Sequence, residues 1–310
     1  MKRALIPVLV VAALVAGCGS SSGSGSSGGG SGGSSVSTTT AAGVLAAAQS
    51  ATKGATSAAF DASLGMTVTG NLQGAGSGAA LLQGPIKLEF KGNAGKAADG
   101  KPKFDVHFAL NFSGGSFSGE ALSPDGKTLY VQLPAILGPG WRSLPLTGLT
   151  SAGSSGSGSG SSGSLSQLQA AGLDPSKWLK NLSLQSSNGQ DTISADLNLP
   201  ALIADISKAG AGSITPKDRK QITQIEQAIT KAHGSLSFDS SSHLPTDESM
   251  QFAMTVPKGL ASQADGLKSL ALDVDIKFSD WNKDFSVSAP SGAKPLNAGG
   301  LLGGLGANGA

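Results

Sequence analysis

The three histidines are the residues of this sequence best suited to acid–base or metal chemistry, and they are far apart in the chain. His107 falls in a predicted strand, His233 at the end of a predicted helix and His243 in a predicted loop. None lies at metal-ligand spacing from another histidine or from a pair of carboxylates. His107 alternates with Val106 and Phe108, which places it on the polar side of its strand. We therefore expect an exposed His107 and no metal site.

A second candidate for chemistry is the pair Asp273 and Asp275, which would share one face of a strand. Two such carboxylates could act together in catalysis or bind calcium, but Lys277 on the same face favours a solvated strand. Glycine patterns typical of a nucleophile elbow and of a dinucleotide-binding loop occur within residues 23–29. They lack the preceding strand and following helix that those motifs require. The sequence predicts no catalytic residue, no cofactor and no enzymatic activity.

Cys18 is the only cysteine of the chain, and it follows a short secretory signal pattern. Lys2 and Arg3 form a basic beginning, and residues 4–16 form an apolar stretch that is too short to span a bilayer permanently. The run Leu-Val-Ala-Gly-Cys at 14–18 resembles a bacterial lipobox. That resemblance implies cleavage after residue 17 and a mature chain that begins at a lipidated cysteine. The alternative is an ordinary signal peptide with an incidental cysteine.

A lipidated Cys18 would place the protein at the cell membrane, facing the extracytoplasmic side, in the periplasm or cell envelope. Several acyl chains anchor a protein stably, whereas one chain is marginal. Without Lys2 and Arg3, the 22 basic residues become 20, equal to the 20 acidic residues. This balance gives no general attraction for nucleic acid. We expect contact with the membrane through the N-terminal lipid and no nucleic-acid partner.

Composition divides the chain into tethers and one domain. Residues 19–35 are all Gly or Ser and predict a flexible tether, within a segment from 18 to 40. A second Gly/Ser-rich run at 151–164 predicts a mobile surface loop, with a domain linker as the alternative. We expect the folded domain at 41–290 and a flexible tail at 291–310.

Alternation at period two predicts most of the domain to be strands. The predicted strands are 60–69, 86–90, 104–112, 117–122, 129–133, 182–184, 193–199, 236–238, 250–256, 270–278 and 285–287. Helical spacing predicts helices at 44–51, from Pro175 to Leu179, after Pro200, and from Pro216 to Ala232. Nearly every strand has one apolar and one polar face. That pattern favours a single antiparallel sheet, solvated on one side and covered by helices on the other, in an α+β fold.

The chain resembles the LppX/LprG family of exported lipoproteins, whose fold is related to the LolA/LolB carriers. Three blocks carry the resemblance: residues 46–53 leading into the strand at 60–69, residues 126–131, and residues 275–282 leading to Ala289-Pro290. The resemblance implies a strongly curved half-barrel sheet with helices over its concave apolar face. It also implies a hydrophobic cavity that takes lipid acyl chains, with an unidentified transporter or acceptor as a further partner.

Inward-facing side chains on the predicted strands are the candidate ligand-binding residues. They are Leu64, Met66, Phe108, Phe252, Met254 and Phe278. Met and Phe adapt to irregular spaces and to varied partners, so these side chains could line a cavity. They could equally form a core packed at ordinary density. Two functions follow: a lipoprotein that holds an amphiphile for carriage or presentation across the envelope, or a tethered structural or protein-interaction module with a filled core.

Overall fold

Twelve β-strands form one sheet in the computed structural model, which describes residues 39–71, 84–97, 99–146, 175–202, 223–224, 226–257 and 266–296. The strands are β1 Ser57–Gly70, β2 Gly84–Lys96, β3 Pro102–Phe112, β4 Gly115–Ser123, β5 Thr128–Gln132, β6 Arg142–Pro145, β7 Leu179–Ser187, β8 Gln190–Leu197, β9 Ile229–Asp239, β10 Pro245–Thr255, β11 Leu267–Ser279 and β12 Lys294–Pro295. Helices among the described residues include α1 Ala41–Gly54, the short α2 Pro134–Leu137 and a 3₁₀ turn at Pro175–Trp178, and residues 199–202 and 226–228 are also helical. The predicted fold class is confirmed, because the sheet is large, curved, antiparallel and not closed.

The chain enters the sheet at its middle. The strand order is β12-β6-β5-β4-β3-β2-β1-β11-β10-β9-β8-β7. Neighbouring strands are antiparallel except for β12 and β6, which are parallel. Strands β1 to β6 thus run outward to one side of the sheet, and β7 to β11 return from the other edge to pair with β1.

The register gives the sheet one apolar face, because residues opposite each other in an antiparallel pair project from the same side. One row across five strands contains Met250, Val274, Leu64, Leu88 and Leu110. We call this side the apolar face and the opposite side the polar face. A row on the polar face contains Lys277, Asp61, Lys91, His107 and Glu120 on successive strands, so each of its two carboxylates lies opposite a basic side chain. Opposite charges in neighbouring cross-strand positions favour this register.

Helix α1 covers part of the apolar face. Thr40 caps it, since the Thr40 hydroxyl accepts a hydrogen bond from the Gly43 amide at 3.1 Å. Val44 and Ala48 lie one turn apart on the buried side of the helix and pack with Ile193 of β8 and Phe238 of β9. These four residues form a buried core cluster within the described part of the chain, so α1 is fixed over the β8–β9 part of the face.

Gly92, on the apolar side of β2, marks a close approach between strands. A Cβ atom at this position would lie 1.9 Å from the carbonyl oxygen of Asp105 on β3 and 2.8 Å from the Cα of Val106. Gly119 on β4 is similar, because its Cβ would lie 2.7 Å from the Phe108 ring. A glycine inside a strand is typical of a sharp bend or a close backbone contact. Both glycines therefore allow the sheet to curve toward its apolar side.

The helix predicted at 216–232 ends earlier than its apolar spacing indicates, and that part of the prediction is wrong. Ile229 and Ala232 belong to β9, where Ala232 lies opposite Phe252 of β10. Pairing along β10 supplies ladder hydrogen bonds to these residues, and this tertiary pairing overrides a weak local preference for helix. His233 consequently lies within a strand rather than at a helix end.

The strand predicted at 285–287 is also wrong, since residues 283–290 have no regular secondary structure. Phe285 instead packs over the polar face, where the Lys103 ammonium lies 4.4 Å from its ring centroid and donates a 2.8 Å hydrogen bond to its carbonyl oxygen. These contacts hold the segment against the side of β3, where it does not continue the sheet. Strand pairing resumes at Lys294, which lies opposite Arg142.

Several predicted segments lie outside the described residues. They are the signal segment 1–17, Cys18 with the tether up to residue 38, the Gly/Ser run at 151–164 and the tail after residue 296. Within the ranges that the structure describes, no helix is both long and apolar enough to cross a membrane.

Candidate functional site: the apolar face of the sheet

All six predicted ligand-binding residues lie on the apolar face, and four of them form one patch. Met66 of β1 and Phe252 of β10 flank Leu272 of β11 from its two sides. Leu64 lies two residues from Met66 on the same side of β1, and Met254 lies two residues from Phe252 on β10. With strands about 4.8 Å apart, this central patch spans three strands in the middle of the sheet.

Phe108 and Phe278 lie at the margins of this patch. Phe108 is on β3, where its ring centroid is 6.5 Å from that of Phe90 on β2. Phe278 lies near the end of β11, and its ring centroid is 5.9 Å from that of Trp281. The Trp281 indole donates a 2.8 Å hydrogen bond to the Pro245 carbonyl oxygen. The aromatic pairs thus border the patch on two sides, and the six predicted residues do not converge on one point.

Burial separates this surface from the packed core. Leu272 is 7% exposed, while the six predicted residues are all only half-buried. In the cluster beneath α1, by contrast, Val44 is 0% and Phe238 3% exposed. Each 100 Å² of apolar surface left in water forgoes roughly 2.5 kcal/mol of hydrophobic stabilisation. A continuous half-buried apolar surface beside a well-packed cluster is therefore a place where an apolar ligand would gain free energy.

Glu248 is an exception to the apolar character of the face. It lies on β10 between Leu236 of β9 and Ile276 of β11, with Met250 two residues along its own strand. Burial in these apolar surroundings raises the pKa of the Glu248 carboxyl to about 7. Its side chain makes no hydrogen bond or ion pair with any part of the chain that the structure describes. A carboxyl that is part ionised near neutral pH thus faces the apolar surface.

Sequence reasoning missed Glu248, Leu272, Phe90 and Trp281. The strand prediction for β10 began at Met250, whereas the strand begins at Pro245. Extending the alternation of Met250, Phe252 and Met254 back by one step would have placed Glu248 on the same face. Phe90 and Leu272 lie in predicted strands, and the alternation places both on the apolar side. The same spacing that selected the six predicted residues could have selected these two.

His107, His233 and the aspartate pair lie on the polar face, away from this surface, whereas His243 lies in the turn between β9 and β10. His107 Nδ1 is 3.1 Å from Glu120 Oε1, and its side chain is 59% exposed. His233 Nδ1 is 2.9 Å from Asp196 Oδ1. Hydrogen bonds from Asn181 and His233 lower the pKa of the Asp196 carboxyl. These pairs are cross-strand surface contacts of modest strength.

A shallow depression of about 390 Å³ lies over β2 to β5, beside His107 and Glu120. Its polar lining includes Glu89 together with Lys91, His107 and Glu120 of the charged row already described. Among the described residues, no group of three histidine, cysteine or carboxylate side chains could hold a metal ion. The depression therefore presents charged side chains but, within the described residues, no set of metal ligands.

Comparison with known proteins adds little to this geometry. No protein-family model matches the chain, and no curated protein is significantly similar to it. One solved structure with some similarity comes from Vibrio parahaemolyticus and is named as an outer membrane lipoprotein-sorting protein domain. The alignment has 12% identity, covers 80% of this chain and 93% of that chain, and has a TM-score of 0.22. At that TM-score the likeness establishes neither a fold nor a function.

Proposed function

We propose that this chain is an exported lipoprotein that is anchored to the cell membrane by lipid on Cys18. In this proposal it faces the extracytoplasmic side and binds the acyl chain of an amphiphile on the apolar face. It would carry or present that amphiphile across the cell envelope to an acceptor that is still unidentified. No reaction is assigned to it.

One observation carries the binding part of the proposal: around the buried Leu272, the four predicted apolar side chains of the central patch are only half-buried. Leu64, Met66, Phe252 and Met254 are flexible or aromatic side chains of the kind that adapt to acyl chains. A monomer gains nothing by leaving such a surface open to water, whereas a bound tail would bury it. The lipobox-like run and the resemblance to LppX/LprG lipoproteins support the anchoring and the carrier role.

The proposal is tested by purifying the full chain, produced with its own signal segment, and analysing organic extracts by mass spectrometry. Leu64→Trp and Met254→Trp fill the patch, while Thr67→Trp and Thr255→Trp add the same ring at exposed positions on the polar side of the same strands. We expect an amphiphile in extracts of the parent and of both polar-side controls. Extracts of the two patch variants should contain several-fold less.

Stability measurements on delipidated protein distinguish the proposal from the alternative of a filled core. In an open surface the larger ring is accommodated, so the free energy of unfolding of Leu64→Trp should equal that of Thr67→Trp. In a filled core the same ring would overpack the site and cost about 1–3 kcal/mol. Such a loss, together with no amphiphile in the parent, would refute the carrier function and leave a structural or protein-interaction module.

A further inference from the structure

We infer that Glu248 contacts the polar end of the bound amphiphile and selects ligands whose polar group donates a hydrogen bond, against ligands that end in a carboxylate. This inference rests on the proposed binding function and adds the ligand class to it. Alcohols and amines are the simplest polar groups of the favoured class.

The position of Glu248 in the sheet is the first argument. Six charged residues lie on the apolar face by register in the described strands: Lys96, Arg142, Asp191, Glu248, Lys268 and Lys294. The other five lie in the first or last two residues of their strands. Glu248 is the fourth residue of β10 and is paired on both sides. It therefore places a carboxyl inside the apolar surface rather than at its margin.

Its neighbours place Glu248 beside the half-buried patch. Leu236 on one side packs against the cluster beneath α1. On the other side, Ile276 lies between Glu248 and Ala62 of β1, and Ala62 lies opposite Phe90 of β2. Small and aliphatic side chains therefore separate Glu248 from Phe90. Met250 continues toward Phe252 and Met254 along β10. An acyl chain lying along the central patch would thus bring its polar end to the boundary between the covered and the open part of the face.

The second argument is the missing partner. A polar group placed in apolar surroundings is costly unless it is hydrogen-bonded, and a charge is more costly still. Asp191, the other acid on this face, accepts a 2.5 Å hydrogen bond from the Ser186 hydroxyl. Glu248 is half-buried, whereas Asp191 is buried, and it has no such donor among the described residues. A hydroxyl or ammonium group of a ligand would supply it, whereas a carboxylate would place a second negative charge beside the first.

The charged groups around Glu248 do not provide an alternative partner. Strands β9 and β11 present Leu236 and Ile276 to it. Helix α1 carries a single charged residue, Lys53, which lies in its exposed last turn. Burial is the sole cause of the raised pKa of Glu248, so no neighbouring charge contributes appreciably.

The test uses the full mature protein, from which bound lipid has been removed, and four probes. Diphenylhexatriene is a fluorescent hydrocarbon without a polar group, and it reports binding to the apolar face itself. Hexadecanol, hexadecylamine and hexadecanoate share one tail and differ in the polar end, and each is measured by displacement of the dye. Titrations are made at about pH 6 and about pH 8, on either side of the Glu248 pKa of about 7. Glu248→Gln keeps the shape and removes the charge, and Glu120→Gln is the matched control on the polar face.

We expect hexadecanoate to bind the parent about tenfold more weakly at about pH 8 than at about pH 6, because the neutral fraction of Glu248 falls about tenfold over that range. The alcohol and the amine should not weaken. In Glu248→Gln the affinity for hexadecanoate should fall over this pH range only as far as the ligand's own titration requires. In Glu120→Gln the affinity should fall as it does in the parent.

Hexadecanoate affinity that changes equally in the parent and Glu248→Gln would overturn the inference. If the dye still binds in that case, the binding function stands without the selectivity. Failure of the parent to bind the dye would overturn the proposed function and this inference with it. Dye binding by Glu248→Gln also shows that the variant is folded, so a change in selectivity cannot come from unfolding.

Discussion

Gly92→Ala is the sharpest test of how the sheet acquires its curvature. The added Cβ would lie 1.9 Å from the Asp105 carbonyl oxygen, so the strands must separate by more than 1 Å to reach an ordinary contact. Such a shift breaks two or three ladder hydrogen bonds between β2 and β3, each with a net contribution of about 1 kcal/mol. We therefore expect a loss of about 2–3 kcal/mol, which is large beside a typical domain stability of roughly 5–15 kcal/mol.

Gly234→Ala is the matched control, because Gly234 is also a mid-strand glycine on the apolar face. Its Cβ would lie 3.5 Å from the Ser249 carbonyl oxygen, an ordinary contact. Here the substitution should be neutral or should stabilise by up to about 1 kcal/mol, through reduced freedom of the unfolded chain. Urea unfolding of the parent and both variants measures the two effects. Equal stabilities of Gly92→Ala and Gly234→Ala would refute the argument that Gly92 is required for the close approach of β3.

Three further predictions concern the cap, the anchor and the half-buried Glu248 carboxyl. Thr40→Ala removes the hydroxyl that accepts from the Gly43 amide, so thermal unfolding should show a loss of about 1 kcal/mol, while Thr40→Ser, which keeps a hydroxyl at the cap, should not. Cys18→Ala should release the protein into soluble fractions or leave it unprocessed; firm membrane association at the mature mass would place the anchor elsewhere. Because the pKa of Glu248 is raised from 4.5 to about 7 by folding, the unfolded chain binds fewer protons between these values, and stability should fall as pH rises through them. Glu248→Gln should lack that fall, and an unchanged pH dependence would show that another group causes it.

The sequence was a good guide to the elements and a poor guide to their boundaries. Alternation predicted β1, β3 and β11 nearly in full, because each has a solvated face that preserves the polar positions. The prediction from helical spacing failed at Ile229, because the apolar residues from Ile229 onward lie in strand β9. There the pairing with β10 decides the conformation, and a partner strand is not visible in a local window.

The candidate site was predictable as a face, but its details were not. Period-two spacing assigns Leu64, Met66, Phe252 and Met254 to one side whether that side is filled or open. Whether they are covered depends on where α1 packs and how strongly the sheet bends, and both follow from long-range contacts. Glu248 was missed because the predicted strand began at Met250, whereas β10 begins at Pro245. Local patterns define the ends of strands less well than their centres.

The register of the two central strands is held by a contact that joins the ends of the domain. Asn282, in the turn after β11, accepts a 2.8 Å hydrogen bond on its side-chain oxygen from the Thr56 amide, and its backbone N–H donates to the Ser57 carbonyl oxygen at 2.9 Å. The residues are 226 positions apart, and Asn282 has a φ of 60°, a conformation that asparagine tolerates better than most residues. A slip of one residue between β1 and β11 would turn every apolar side chain of one strand to the polar face. The continuity of the candidate binding surface therefore depends on the turn after β11, whose Trp281 lies at the border of that surface.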